Sequence, residues 1–111
     1  MMTSNTDPAG SALPEIVVAP ARRDVRPGRN GDVIFEVREL PGGRRVMPVF
    51  TSVRRLVAAL GQYQPWVALP LRSVQEIMGG AGVYSVVLDP PAHAGDWRWQ
   101  ANDLRALERI R

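Results

Sequence analysis

Between Val33 and Leu88 the apolar positions switch repeatedly between the two-residue spacing of a strand and the three-to-four-residue spacing of a helix. Val33 to Leu40 is β-branched and aromatic, and alternates from Phe35 on: Phe35 and Val37 apolar, Glu36 and Arg38 polar. Pro41-Gly42-Gly43 reads as a turn. Arg44 to Phe50 reads as the return strand of a hairpin. Pro48 cannot donate to a ladder, so it belongs at an edge or an irregularity of that strand. Thr51-Ser52 then starts a helix, with a hydroxyl to take an unpaired N–H at the cap. Val53, Leu56, Val57 and Leu60 form its apolar face, Arg54 and Arg55 lie outside, and Gly61 ends it.

The second half repeats the alternation of elements. Trp66 to Leu69 reads as a short buried strand closed by Pro70, with Trp66 in the core. Leu71 to Met78 reads as a helix with Leu71, Val74, Ile77 and Met78 inward, ended by Gly79-Gly80-Ala81-Gly82. Val83 to Leu88 is the next strand, closed by Asp89-Pro90-Pro91. A last helix is expected from Asp96 or Trp97 to Ile110, capped by Asp96, with Trp97, Ala101, Leu104, Leu107 and Ile110 on its stripe. The succession is β-β-α-β-α-β-α. It implies one small α/β (α+β mixed) domain over residues 32–111, whose mixed sheet starts from an antiparallel hairpin and continues through parallel crossovers.

Residues 1–31 read differently. Thr, Ser, Asn, Pro and Gly dominate, with only the short Ile16-Val17-Val18 patch to bury. That composition predicts a flexible tail, with the patch able at most to add to a sheet edge. Arg22, Arg23, Arg26 and Arg29 follow, broken by Asp24, Pro27-Gly28 and Asn30-Gly31. A solvated linker is the plainer reading. A nucleic-acid arm is the sharper one, but no aromatic residue is interleaved for base stacking.

Composition narrows the chemistry. The chain has 111 residues, no cysteine and a formal charge of +3. Disulfides, thiolate nucleophiles and cysteine–metal sites are therefore excluded. All 14 basic residues are arginine, which fits codon bias in a GC-rich genome. No apolar run is long enough to span a bilayer, and the N-terminus does not read as a signal peptide, so a cytoplasmic location is expected.

No catalytic constellation emerges. Gly79 to Gly82 follows a helix and precedes a strand, the wrong polarity for a phosphate loop. His93 is the only histidine; with Asp89 and Asp96 it makes a weak metal or acid–base set. Thr51-Ser52 lacks the glycines of a nucleophile elbow. Glu36, Glu39, Glu76 and Asp89 are isolated carboxylates, and Asp89 before proline reads as a turn starter. Neither enzyme activity nor a cofactor or metal is expected. Trp97 and Trp99 flank Arg98 and cannot both point inward. One is expected to be partly exposed, and with Arg98 and Arg105 it is the candidate protein interface. The plainer alternative packs both rings against the domain edge.

The run Val46 to Pro70, followed by Val83 to Pro90, resembles the SseB-like family, in its short single-domain actinobacterial form. The resemblance rests on Gly42-Gly43, Phe50-Thr51-Ser52, Leu56, Gln64-Pro65-Trp66-Val67 and Leu88-Asp89-Pro90. It covers about residues 32–90. It implies a compact α/β module without an established catalytic site. The expected function is therefore a non-enzymatic interaction or scaffold module, binding a protein partner or itself as a possible homodimer. The alternative is a small basic regulator that holds nucleic acid weakly through Arg22, Arg23, Arg26, Arg29, Arg54 and Arg55.

Overall fold

A computed structural model describes residues 13–29, 31–92 and 97–109. Its strands and helices are β1 (Ile16–Arg23), β2 (Val33–Phe35), β3 (Arg38–Glu39), β4 (Arg45–Val49), α1 (Val53–Leu60), β5 (Trp66–Pro70), α2 (Leu71–Gly80), β6 (Ser85–Leu88) and α3 (Ala101–Arg109). They form an α+β domain with two three-stranded sheets, ordered β2-β1-β5 and β3-β4-β6.

The expected hairpin and crossover are both present. β3 and β4 pair antiparallel around the Pro41-Gly42-Gly43 turn, and β4 and β6 pair parallel in the register Val46↔Ser85 to Val49↔Leu88. The Val33 to Leu40 strand is split in two. Its first part, β2, pairs antiparallel with β1, as does β5.

The flexible tail expected over residues 1–31 does not hold for Ile16–Arg23. β1 is the central strand of its sheet, and Val17, Val18, Ala19 and Ala21 are buried. The physical reason is burial on both faces. Val17 and Ala19 join Met47, Val49, Leu71, Val74, Met78 and Val83 in the larger core, under α2. Val18 points the other way, into a second core with Phe50, Leu56 and Leu60 under α1. A strand buried on both sides reads as a short continuous apolar run, not an alternation. Here Pro20 interrupts that run.

Both prolines in this region sit where the missing N–H matters little. Asp89 N–H donates to Val49 C=O at 2.8 Å, which extends the β4–β6 ladder and turns Met47 and Val49 toward β6. Even-numbered β4 residues therefore face the opposite edge. There Val46 pairs with Arg38 of β3, and Phe50 exchanges two 2.8 Å bonds with Val18 of β1. Pro48 lies between them, at the gap where one strand ends and the other begins. Pro20 lies on the matching edge of β1, where its carbonyl accepts from Glu36 N–H at 3.0 Å. The Val18–Phe50 bridge thus joins the two sheets across a seam carrying a proline on either side.

α1 forms as its caps dictate. Ser52 Oγ accepts from Arg55 N–H at 3.1 Å, and Gly61 ends the helix at φ +98°. Three apolar residues expected inside are instead substantially exposed: Val53, Ile77 and Trp66. Val53 and Ile77 lie at the margins of their helix faces. Trp66 opens β5, an edge strand, so its ring has no neighbouring strand to cover it.

Candidate interaction site

Trp97 to Gln100 are not helical, contrary to the expected start at Asp96 or Trp97. The helix starts at Ala101, four residues after Trp97. Asp103 Oδ2 accepts from Gln100 N–H at 2.7 Å, while Gln100 C=O accepts from Asp103 N–H at 3.0 Å and Leu104 N–H at 3.3 Å. The Asp103 carboxylate supplies the third-residue half of a capping box, and the first helical residue is Ala101. Asp96, the cap expected from the sequence, lies outside the described residues, as do His93 and Ile110.

The two indoles separate as their spacing requires. Trp99 is 8% exposed and Trp97 is 64% exposed. Their ring centroids lie 5.6 Å apart at an interplanar angle of 69°, an edge-to-face contact. Trp99 Nε1 donates to Glu36 Oε2 at 2.9 Å. Glu36 Oε1 accepts from Gln64 Nε2 at 3.2 Å, and the same amide reaches Pro65 C=O at 2.8 Å. Gln64 is buried. Glu36 thereby ties the α3 approach and the α1–β5 loop to the break between β2 and β3. It is a polar knot beneath Trp97, not a free acid. Sequence reasoning missed this role. The available signal was Gln64 itself, a polar residue in the Gln-Pro-Trp-Val run.

Trp97 rises between two shallow hollows. One, of about 160 Å³, is shared with Pro20, Glu36, Val37 and Arg38. The other, of about 280 Å³, is bordered by Arg22, Val25, Trp99, Asp103, Ala106 and Leu107. Of the other interface candidates, Arg98 is turned to the fold: its Nη2 donates to Ala59 C=O at 3.1 Å, at the C-terminus of α1. A cation there complements the helix dipole. Arg105 is exposed, and its Nη1 donates to Asn102 Oδ1 at 3.2 Å.

Five of the six arginines of the alternative reading have partners in the fold. Arg26 grips the buried Asp24 through Nε at 2.9 Å and Nη2 at 2.5 Å. That guanidinium, more than the opposing effect of burial, pulls the Asp24 carboxyl from 3.8 down to about 2. Arg29 pairs with Asp32 at 3.7 Å. Arg22 Nη1 reaches Arg23 C=O at 3.5 Å, and Arg23 Nη2 donates to Leu107 C=O, holding α3 to β1. Arg54 and Arg55 stand on α1, away from that hairpin in the chain, and Arg55 lies 3.9 Å from Asp89.

Asp89 has a structural task too. It takes φ +50°, and its two oxygens accept from Thr51 N–H and Thr51 Oγ1, both at 2.9 Å. This clasps the end of β6 to the entry of α1. Beside it, Leu40, Pro48, Phe50, Leu60, Val87 and Pro91 help to line an apolar hollow of about 240 Å³. Among the described residues, no three His, Cys, Asp or Glu side chains are grouped to hold a metal ion, and no helix is long and apolar enough to cross a membrane.

Residues 10–95 match the family model of the SseB protein N-terminal domain. The chain belongs to the SseB family. The match begins ahead of Ile16 and so includes β1, in agreement with the central place of that strand. A comparison with curated proteins and one with solved structures give no match. In this SseB domain the family segment supplies both sheets, while α3 and the Trp97-Arg98-Trp99 approach lie beyond residue 95.

Proposed function

We propose that this chain is a non-catalytic protein-binding module whose contact surface centres on Trp97. The single observation that carries the reading is the Trp97 ring, 64% exposed yet braced edge-to-face by a buried Trp99. An exposed aromatic held in one orientation loses little conformational freedom on binding, and tryptophan is over-represented among residues that dominate interface energies. The hollows on either side offer room for a partner's side chains, with Pro20, Val25 and Leu107 as apolar floor and Arg22 and Arg38 at the margins.

The carboxylates support a non-enzymatic role. Glu36, Asp24, Asp89 and Asp103 each spend their oxygens on donors of the fold. A nucleic-acid role gains no comparable support, because Arg26, Arg29 and Arg55 face carboxylates and the six candidate arginines are split among the end of β1, the β1–β2 connection and α1.

The test is capture by the immobilised protein from a lysate of its source, with wild type and Trp97→Ala side by side. A polypeptide held by wild type and lost with Trp97→Ala supports the reading. Identical capture by both, or none, removes it.

A further inference from the structure

We infer that the polypeptide received at Trp97 is a proline-rich segment in the extended polyproline conformation. The inference rests on the reading of Trp97 as the contact surface and adds the chemistry of what that surface holds.

The hydrogen-bonding groups around the ring set that chemistry. Acceptors bordering it are engaged within the fold. Glu36 Oε2 takes the Trp99 indole N–H, and Glu36 Oε1 takes the Gln64 amide. Pro20 C=O takes Glu36 N–H, Leu107 C=O takes Arg23 Nη2, and Asp103 Oδ2 takes Gln100 N–H. Donors are left over. Trp97 Nε1 donates to no group among the described residues. Arg22 touches only Arg23 C=O, through Nη1 at 3.5 Å. Such a surface fits a ligand rich in acceptors and poor in donors. Each proline supplies a carbonyl and no N–H. In the polyproline conformation none of those carbonyls is bonded internally, so they stay open to an outside donor.

Other backbone forms fit less well. A helix bonds its carbonyls within itself and leaves none along its length for the indole N–H. An added strand brings an N–H with every carbonyl, and those N–H groups would meet acceptors that are already engaged.

The shape agrees with the hydrogen bonding. Trp97 separates a hollow floored by Pro20 and Val37 from one floored by Val25, Ala106 and Leu107. A polyproline helix has three residues per turn and rises about 3.1 Å per residue, so it returns a proline to the same side every ~9 Å. Two such prolines can straddle the ring, one over each apolar floor. The contact with Trp99, at 5.6 Å between centroids, holds the ring in place. A stiff ligand meeting a braced ring loses little conformational freedom on binding.

The test is titration of the full chain with a blocked decaproline peptide, followed in ¹H–¹⁵N correlation spectra. A glycine–serine peptide of equal length is the control. The indole signals are assigned through single Trp→Phe variants. Decaproline should saturate below about 1 mM, a modest affinity. It should shift the Trp97 indole N–H and leave that of Trp66 in place. Trp97→Phe keeps a ring without the donor and should bind about two- to tenfold more weakly, the range of one net hydrogen bond. Trp97→Ala should lose about thirtyfold or more, as an aromatic anchor does. Trp66→Phe should bind as wild type. The inference is overturned by no shift at millimolar decaproline, by equal binding of the glycine–serine peptide, or by undiminished binding in either Trp97 variant. If decaproline fails while lysate capture still depends on Trp97, the proline assignment falls and the Trp97 surface stands. If both fail, the surface falls with it.

Discussion

Trp99 Nε1 and Glu36 Oε2 meet at 2.9 Å although 63 residues separate them in the chain. This bond fixes the C-terminal segment to the break between β2 and β3, and it leaves Trp99 buried as a brace and Trp97 exposed. Trp99→Phe keeps most of the ring but removes the donor. It should destabilise by about 1 to 3 kcal/mol, the usual range for a buried partner left unpaired. Trp97→Ala removes a larger area of exposed ring and should shift stability by less than about 0.5 kcal/mol. Urea denaturation of both variants checks the contrast; equal losses would contradict the division of labour.

A second expectation concerns Asp89 and Thr51. Asp89→Ala deletes both acceptors of Thr51 and places a Cβ-bearing residue without a side-chain partner at φ +50°. Asp89→Gly deletes the same acceptors but relieves the backbone. Ala should therefore be worse than Gly by about 1 kcal/mol, the cost of the left-handed conformation. Thermal melts of the two variants measure that difference directly.

The α1 cap is a third. Ser52→Ala loses the Oγ that accepts from Arg55 N–H and should cost about 1 kcal/mol. Ser52→Gly should cost only a few tenths by the same comparison. Chemical denaturation resolves the two, and a Gly variant as weak as Ala would mean the hydroxyl acts through something other than capping.

A fourth follows from Asp24. Its folded value, about 2, lies below the ordinary 3.8, so between those values the unfolded chain binds more protons than the folded one. The stability contributed by the Arg26–Asp24 pair is therefore complete above 3.8 and is lost as pH falls toward about 2. Asp24→Asn should flatten the acid limb of the stability curve in that window. The readout is the unfolding midpoint at a series of acidic pH values for both proteins.

Much of the middle of the chain is legible in its sequence. From Arg45 to Leu88 each element carries its own stop and start: Ser52 before α1, Gly61 after it, Pro70 before α2, Gly82 ahead of β6. Local chemistry decides these boundaries, so local reading finds them. β1 is not legible in the same way. Its burial comes from two cores on opposite faces, a tertiary fact, and Pro14 and Pro20 make the segment look like linker. The helix start at Ala101 is marked by the Asp103 carboxylate taking the Gln100 N–H, a side-chain-to-backbone bond that the apolar stripe does not encode. Of the candidate site, the sequence reveals that one of Trp97 and Trp99 must be exposed. It does not reveal which, because the answer lies in Glu36, whose position between β2 and β3 is set by pairing with Pro20 across the sheet.

Pro20 and Pro48 carry a consequence beyond strand pairing. Ladders transmit register: a slip in one strand drags every neighbour bonded to it. Neither proline can lend a proton across the seam, so the two sheets share the Val18–Phe50 bridge and little else in backbone bonding. The seam works as an expansion joint. The β4–β6 pair could alter its twist without the alignment of β1 with β5 having to follow.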